Sequence, residues 1–169
     1  HQDLMHQAQN NELCVIESLG QTVEGRSLDC LILGEPGANK KNIWIIARQH
    51  PGETMASWFM KGLVSRLLDN SDPVSRRLYE KAVFYMVPNM NPDGSVRGNI
   101  RANAAGKNLN REWARPTKEK SPEVYHVKKK MTKTGVDLNL DIHGDEAIPY
   151  NFITTLEGIP GFSPRLKNL

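Results

Sequence analysis

The sequence predicts an α/β domain with a mixed, largely parallel sheet flanked by helices. Apolar runs of strand length alternate with segments of helical spacing. The run Ile43–Ala47 is apolar at every position, as a strand covered on both faces is. Polar clusters follow the ends of three such runs, where open α/β sheets place their ligands.

The elements follow in order. Residues 1–12 read as a linker or the tail of a preceding element. Leu13–Leu19 and Leu28–Leu33 are expected strands joined through a Gly20…Gly25 turn region. Cys14 and Cys30 could face each other across that hairpin, although two thiols are the better reading. After Ile43–Ala47, Thr54 offers an N-cap, and Ala56, Phe59, Met60, Leu63, Val64, Leu67 and Leu68 keep helical spacing. Ser71-Asp72-Pro73 breaks that helix and a shorter one covers Val74–Lys81. Val83–Val87 is the next strand, running into the dense turn signal of Asn89–Gly94. From there to Pro116 no period is visible, and so long a loop in a compact domain is usually functional or mobile. Pro122–Lys133 is expected to be a surface helix with Val124, Val127 and Met131 inward. In Val136–Ile142, Val136, Leu138, Leu140 and Ile142 share one face while Asp137, Asn139, Asp141 and His143 share the other. Tyr150–Leu156 is a candidate further strand.

Composition bounds the function. With 169 residues, 38% hydrophobic and 24% charged, the chain can bury one core and does not resemble a disordered segment. A net charge of +3 is too small to indicate nucleic acid. No apolar run approaches the roughly 20 residues of a membrane span and no signal-peptide pattern opens the chain, so a cytoplasmic location without membrane partners is expected.

His50 and Glu53 stand three residues apart between a strand and a helix, and His143 ends another strand. Two imidazoles and one carboxylate form a catalytic zinc set, because they leave a tetrahedral position open for water. A His-x-x-Glu alone is a weak signal. The plain alternative is that Glu53 favours the helix N-terminus and His143 bonds a neighbouring backbone group. Asp141 either supports His143 or faces solvent. Arg101, Asn110 and Arg111 lie in the long loop, where a guanidinium fork and an amide could hold a carboxylate. From spacing alone, solvated arginines are the better reading. His126 reads as solvated, and His1 and His6 as terminal remnants.

SLGQTVEGRSLDCLILG, RQHPGETMASWFMKG, VPNMNPDG, GNIRANAAGKNLNREW and DIHGDEAIPYNF occur in this order. Together they resemble the zinc metallocarboxypeptidases of the funnelin (M14) type, and DIHGDEAIPYNF is especially similar to the cytosolic carboxypeptidase branch. The resemblance implies that His50, Glu53 and His143 bind one zinc ion per chain and that Arg101 polarises the scissile carbonyl. It further implies that Asn110 and Arg111 grip the terminal carboxylate of a peptide or protein tail, with Glu-ending tails suggested by the branch. Asn108 stands where the family usually has an aspartate that orients the first histidine. The family's general-base glutamate matches nothing up to Leu169, and neither Asp145 nor Glu146 fits it. The resemblance therefore makes residues 13–169 the N-terminal and central part of a catalytic domain, inactive alone, and an exposed sheet edge would favour self-association. Two other functions stay open: an N-acyl amino acid deacylase of the aspartoacylase type, and a zinc-holding, inactive module that binds C-terminal tails.

Overall fold

The computed structural model describes residues 1–145, 147, 148 and 150–154. Five strands form one sheet in the order β1-β2-β4-β3-β5. They are β1 (Cys14–Gln21), β2 (Ser27–Leu33), β3 (Lys41–Ala47), β4 (Ala82–Val87) and β5 (Leu138–Ile142). β1, β2 and β4 are linked by antiparallel pairing, and β4, β3 and β5 are mutually parallel. The sheet is therefore mixed, and its parallel half carries the ends that matter for the site.

Two hydrophobic layers sandwich the sheet. On one face Leu31, Leu33, Ile45, Phe84 and Met86 pack with Leu4 and Ala8 of α1 (Gln2–Gln9) and with Ala56, Met60, Val64 and Leu67 of α2 (Met55–Leu67). On the other, Cys30, Trp44, Ile46, Tyr85 and Val87 pack with Val124 and Val127 of α5 (Pro122–Thr134) and with Leu109. Every residue of β4 is buried. This explains why its sequence is apolar without alternation: side chains leaving either face meet a helix layer.

α3 (Pro73–Lys81) starts as its sequence suggests: Asp72 accepts the Val74 amide and Pro73 occupies the first turn, where its missing N–H costs nothing. Tyr79 then ties α3 to α2 by donating to the Leu67 carbonyl at 2.6 Å.

Several expectations need correction. Phe59 keeps helical spacing but is 46% exposed, because the buried stripe of α2 runs through Ala56, Met60, Val64 and Leu67. Thr54 precedes α2 with helical backbone angles and makes no side-chain cap bond. Cys14 pairs with Leu33, and Cys30 with Glu17, so the two thiols are three positions out of register and pack into opposite layers. They are free. His126 is partly buried against Gly20, not solvated; a Cβ on Gly20 would meet its ring at 2.6 Å. Of the two readings of residues 1–12, the linker is the one corrected: they include a helix docked through Leu4 and Ala8. The aperiodic stretch contains α4 (Pro92–Arg97) and a 3-10 turn at Leu109–Arg111. Both are too short for an apolar period and begin on asparagine caps instead: Asn91 accepts from the Gly94 amide and Asn108 from the Asn110 amide. Residues 150–154 form no strand, and the rest of the candidate strand Tyr150–Leu156 lies outside the described residues.

Candidate metal centre

The parallel pairing of β3, β4 and β5 brings their carboxyl ends to one edge. After β3, Arg48 takes a left-handed φ of 60°, which breaks the strand and turns the chain towards His50. Its guanidinium fastens the turn by donating to Ser57 Oγ at 2.7 Å and to the Pro51 carbonyl. The loop after β4 is stitched to the same turn. The Met90 amide donates to the Ala47 carbonyl at 2.8 Å, Asn91 Nδ2 to the Gln49 carbonyl at 3.1 Å, and the Gly52 amide to the Ile100 carbonyl at 3.0 Å. Gly94 is required where the loops meet: a Cβ there would sit 2.5 Å from Pro51 Cγ and 2.7 Å from the Ala102 carbonyl oxygen.

Glu53 is the hub. Its Oε1 lies 2.7 Å from His50 Nδ1, and its Oε2 lies 2.8 Å from His143 Nδ1 and accepts the Gly144 amide at 3.1 Å. One ligand atom from each of His50, Glu53 and His143 falls within 4.8 Å of the others. His50 and Glu53 are each 4% exposed, so the carboxylate is shielded from water and held in one geometry. Burial alone would raise the Glu53 pKa, but the Gly144 amide and the two imidazoles outweigh it and hold the carboxyl below its ordinary value. His143 is shifted upward, chiefly by its hydrogen bond to Asp141.

The outer nitrogen of each imidazole has its own acceptor. His50 Nε2 lies 3.0 Å from Asn108 Oδ1, and His143 Nε2 lies 3.0 Å from Asp141 Oδ2. Asn108 Oδ1 also takes the Asn110 amide at 3.1 Å, so it faces His50 as an acceptor. A neutral ring donating from Nε2 keeps the Nδ1 lone pair for the centre. Both histidines thus present Nδ1 inward. Two inward imidazoles and a carboxylate are a donor set that suits zinc and leaves a tetrahedral position open.

The loop residues take different places. Arg101 reaches the centre, with Nη1 3.4 Å from His50 Nδ1. Asn110 and Arg111 sit on the 3-10 turn begun by Asn108, one hydrogen bond removed from His50. Their side chains make no contact with the three clustered residues among the described hydrogen bonds, and the Arg111 guanidinium is exposed. Among the described residues neither Arg101 nor Arg111 forms a salt bridge. Asp145 is engaged otherwise: its Oδ1 caps the following turn through the amides of Ala147 and Ile148.

Two residues that sequence reasoning passed over also belong here. Gln49 is fully buried and donates from Nε2 to Asp141 Oδ2 at 2.6 Å, while Trp113 Nε1 donates to Gln49 Oε1 at 2.8 Å. The available signal was a neutral polar residue two positions after a wholly apolar run, since a buried amide there must find partners.

The chain has measurable relatives. The zinc carboxypeptidase family (Peptidase M14) matches residues 3–155. An uncharacterized protein of Zymomonas mobilis is 54% identical over 160 residues, 95% of this chain and 41% of the relative. Cytosolic carboxypeptidase 6 of Mus musculus is 35% identical over 158 residues, 87% of this chain and 29% of the relative. Among solved structures, a metallo-carboxypeptidase from Burkholderia cenocepacia shares the fold with a TM-score of 0.94 at 50% identity, covering 99% of this chain and 46% of that one. A metallo-carboxypeptidase from Pseudomonas aeruginosa, in complex with (2-guanidinoethylmercapto)succinic acid, gives a TM-score of 0.92 at 47% identity, covering 99% and 45%. The chain spans less than half the length of each of these relatives. With the match running through the turns that carry His50, Glu53 and His143 and nearly from end to end, the chain belongs to the zinc carboxypeptidase family.

Proposed function

We propose that this chain forms the metal-holding and substrate-gripping part of a zinc-dependent carboxypeptidase, with one zinc ion on His50, Glu53 and His143. The observation that carries the proposal is the convergence of these three ligand atoms, from turns ninety residues apart, within 4.8 Å at one sheet edge. A zinc ion bound there supplies a Lewis acid and a water of lowered pKa.

The remaining work falls to the chain's own side chains. Arg101, beside His50 and free of carboxylate partners among the described residues, is placed to stabilise the oxyanion that develops on the scissile carbonyl. Asn110 and Arg111 grip the terminal carboxylate, which confines cleavage to the last peptide bond. A carboxylate-bearing ligand on the Pseudomonas aeruginosa relative supports such a grip. Asn108 keeps the His50 ring oriented. The mouse relative's name supports a cytoplasmic setting. The preferred substrate is a peptide or protein tail ending in Glu, which the chain's net charge of +3 favours.

The test is mass-spectrometric detection of residues released from peptides ending in Glu, Lys or Phe, with C-terminally amidated controls. The zinc-loaded natural-length protein and its Arg111→Ala variant are compared. Zinc-dependent loss of single residues from free carboxyl termini is expected, fastest for Glu and lowered at least tenfold by the variant. Cleavage of amidated peptides would contradict the grip, release of Lys or Phe ahead of Glu would overturn the preference, and cleavage of N-acetylated single amino acids alone would replace the peptidase with a deacylase.

A further inference from the structure

Gln49 has no role in the chemistry just described, yet it is more completely buried than either neighbouring ligand. Its backbone carbonyl accepts from Asn91, on the loop after β4. Its side chain joins two other parts of the molecule. Trp113, two residues beyond Arg111, donates to Oε1 at 2.8 Å, and Nε2 donates to Asp141 at 2.6 Å. Asp141 lies 3.0 Å from His143 Nε2.

The direction of this chain is fixed. An indole N–H can only donate, so the amide must present Oε1 to Trp113 and Nε2 to Asp141. An ionised carboxylate can only accept, so the same Asp141 Oδ2 accepts one hydrogen bond from Gln49 Nε2 and another from His143 Nε2. The two donors hold that oxygen in place, and the oxygen holds the imidazole with Nδ1 turned towards Glu53. Asp141 is the more exposed partner, with a side chain 28% exposed against a fully buried Gln49. A fully buried glutamine is thus the anchor, and the more exposed Asp141 carboxylate is what it anchors.

We propose that Gln49 is a positioning residue that fixes the third ligand, His143, through Asp141, and ties it through Trp113 to the loop carrying Asn110 and Arg111. The inference rests on the zinc-site reading above. It makes the ligand set and the substrate-side loop one connected piece, with Gln49 as the joint.

The experiment measures zinc affinity by chelator competition, and the visible spectrum of the cobalt-substituted protein, on natural-length wild type and three variants. Gln49→Met removes both hydrogen bonds at similar length. Gln49→Glu keeps an acceptor for Trp113 and sets an oxygen against Asp141. Trp113→Phe removes only the indole donor, leaving the ligands and Gln49 untouched. Melting curves of the metal-free proteins report folding. The expected result is a 10- to 100-fold loss of zinc affinity in Gln49→Met, in line with the usual effect of groups that orient metal ligands. Gln49→Glu should lose at least as much, Trp113→Phe several-fold, and the cobalt spectrum should change in all three. Folded variants that bind zinc within twofold of wild type, with unaltered spectra, would overturn the positioning role while leaving the metal site standing. Should Gln49→Met fail to fold, Trp113→Phe decides by the same readouts. A wild type that binds no zinc would overturn both readings.

Discussion

Each imidazole in the centre must present a lone pair inward and keep its ring from turning, and both demands are met by the atom behind it. For His50 that atom is the Asn108 amide oxygen, and for His143 the Asp141 carboxylate. The difference has a pH consequence. Asp141 raises the His143 pKa above the ordinary 6.5, so in the metal-free protein this ring contributes stability that is complete below about 6.5 and is lost as pH rises through the higher folded value. Zinc requires the deprotonated ring. The rise in melting temperature on adding saturating zinc should therefore be larger near pH 8 than near pH 6, roughly, as calorimetry or dye-monitored melting would show; an equal rise at both would contradict it. Removing a ligand is the plainer case. Glu53→Gln and His143→Ala should each cost at least tenfold in zinc affinity by chelator competition, since each loses one of the three donors of the proposed site. Away from the centre, burial pushes the Cys30 thiol up to about 12 and the Cys14 thiol to about 11. Both stay protonated near neutral pH, so alkylation should be slow in the native protein and fast after unfolding. Rapid labelling of the folded chain would show that the opposite-layer placement is wrong.

At the scale of elements, the site depends on short pieces held by side chains instead of by periodicity. The turn after β3, α4 and the 3-10 turn are pinned by Arg48, Asn91 and Asn108, and the first two meet around Gly94 beside the Ala102 carbonyl. Asp93 extends the lock: its fully buried carboxylate accepts from Thr22 Oγ1 at 2.7 Å, from the Glu24 amide at 2.9 Å and from Arg26. The β1–β2 turn is thereby fastened to the loop that bears Arg101. Gly94→Ala forces a methyl group against Pro51 and a backbone oxygen, and should destabilise the protein by about 1–3 kcal/mol in urea melts. Because the clash lies between the two site loops, zinc affinity should fall as well. A variant with unchanged stability would mean the loops are looser than described.

This is also where sequence reading stops. β3 and α2 were legible because runs of apolar residues on a clear period leave few alternatives, and the junction between them exposed His50 and Glu53 as a pair. β5 was legible by alternation, which put Asp141 and His143 on one face. α4 was not, since six residues beginning Pro-Asp-Gly carry no apolar stripe. Gln49 was hidden for a different reason: its partners Trp113 and Asp141 are 64 and 92 residues away, and nothing local to Gln49 points to either.

For the whole molecule, the decisive fact is direction. β3, β4 and β5 run parallel, so three strand ends that are distant in sequence open at one edge, while the antiparallel β1 and β2 extend the sheet away from it. Folding alone thus brings His50, Glu53 and His143 together, and two helix layers hold the strands in register. The most direct check is a crystal of the zinc-loaded protein with anomalous data collected at the zinc edge. One peak per chain is predicted, bonded by His50 Nδ1, His143 Nδ1 and a Glu53 oxygen at roughly 2.0–2.2 Å. No peak at that position, or a zinc held through Asp141 or the Nε2 atoms, would contradict the account.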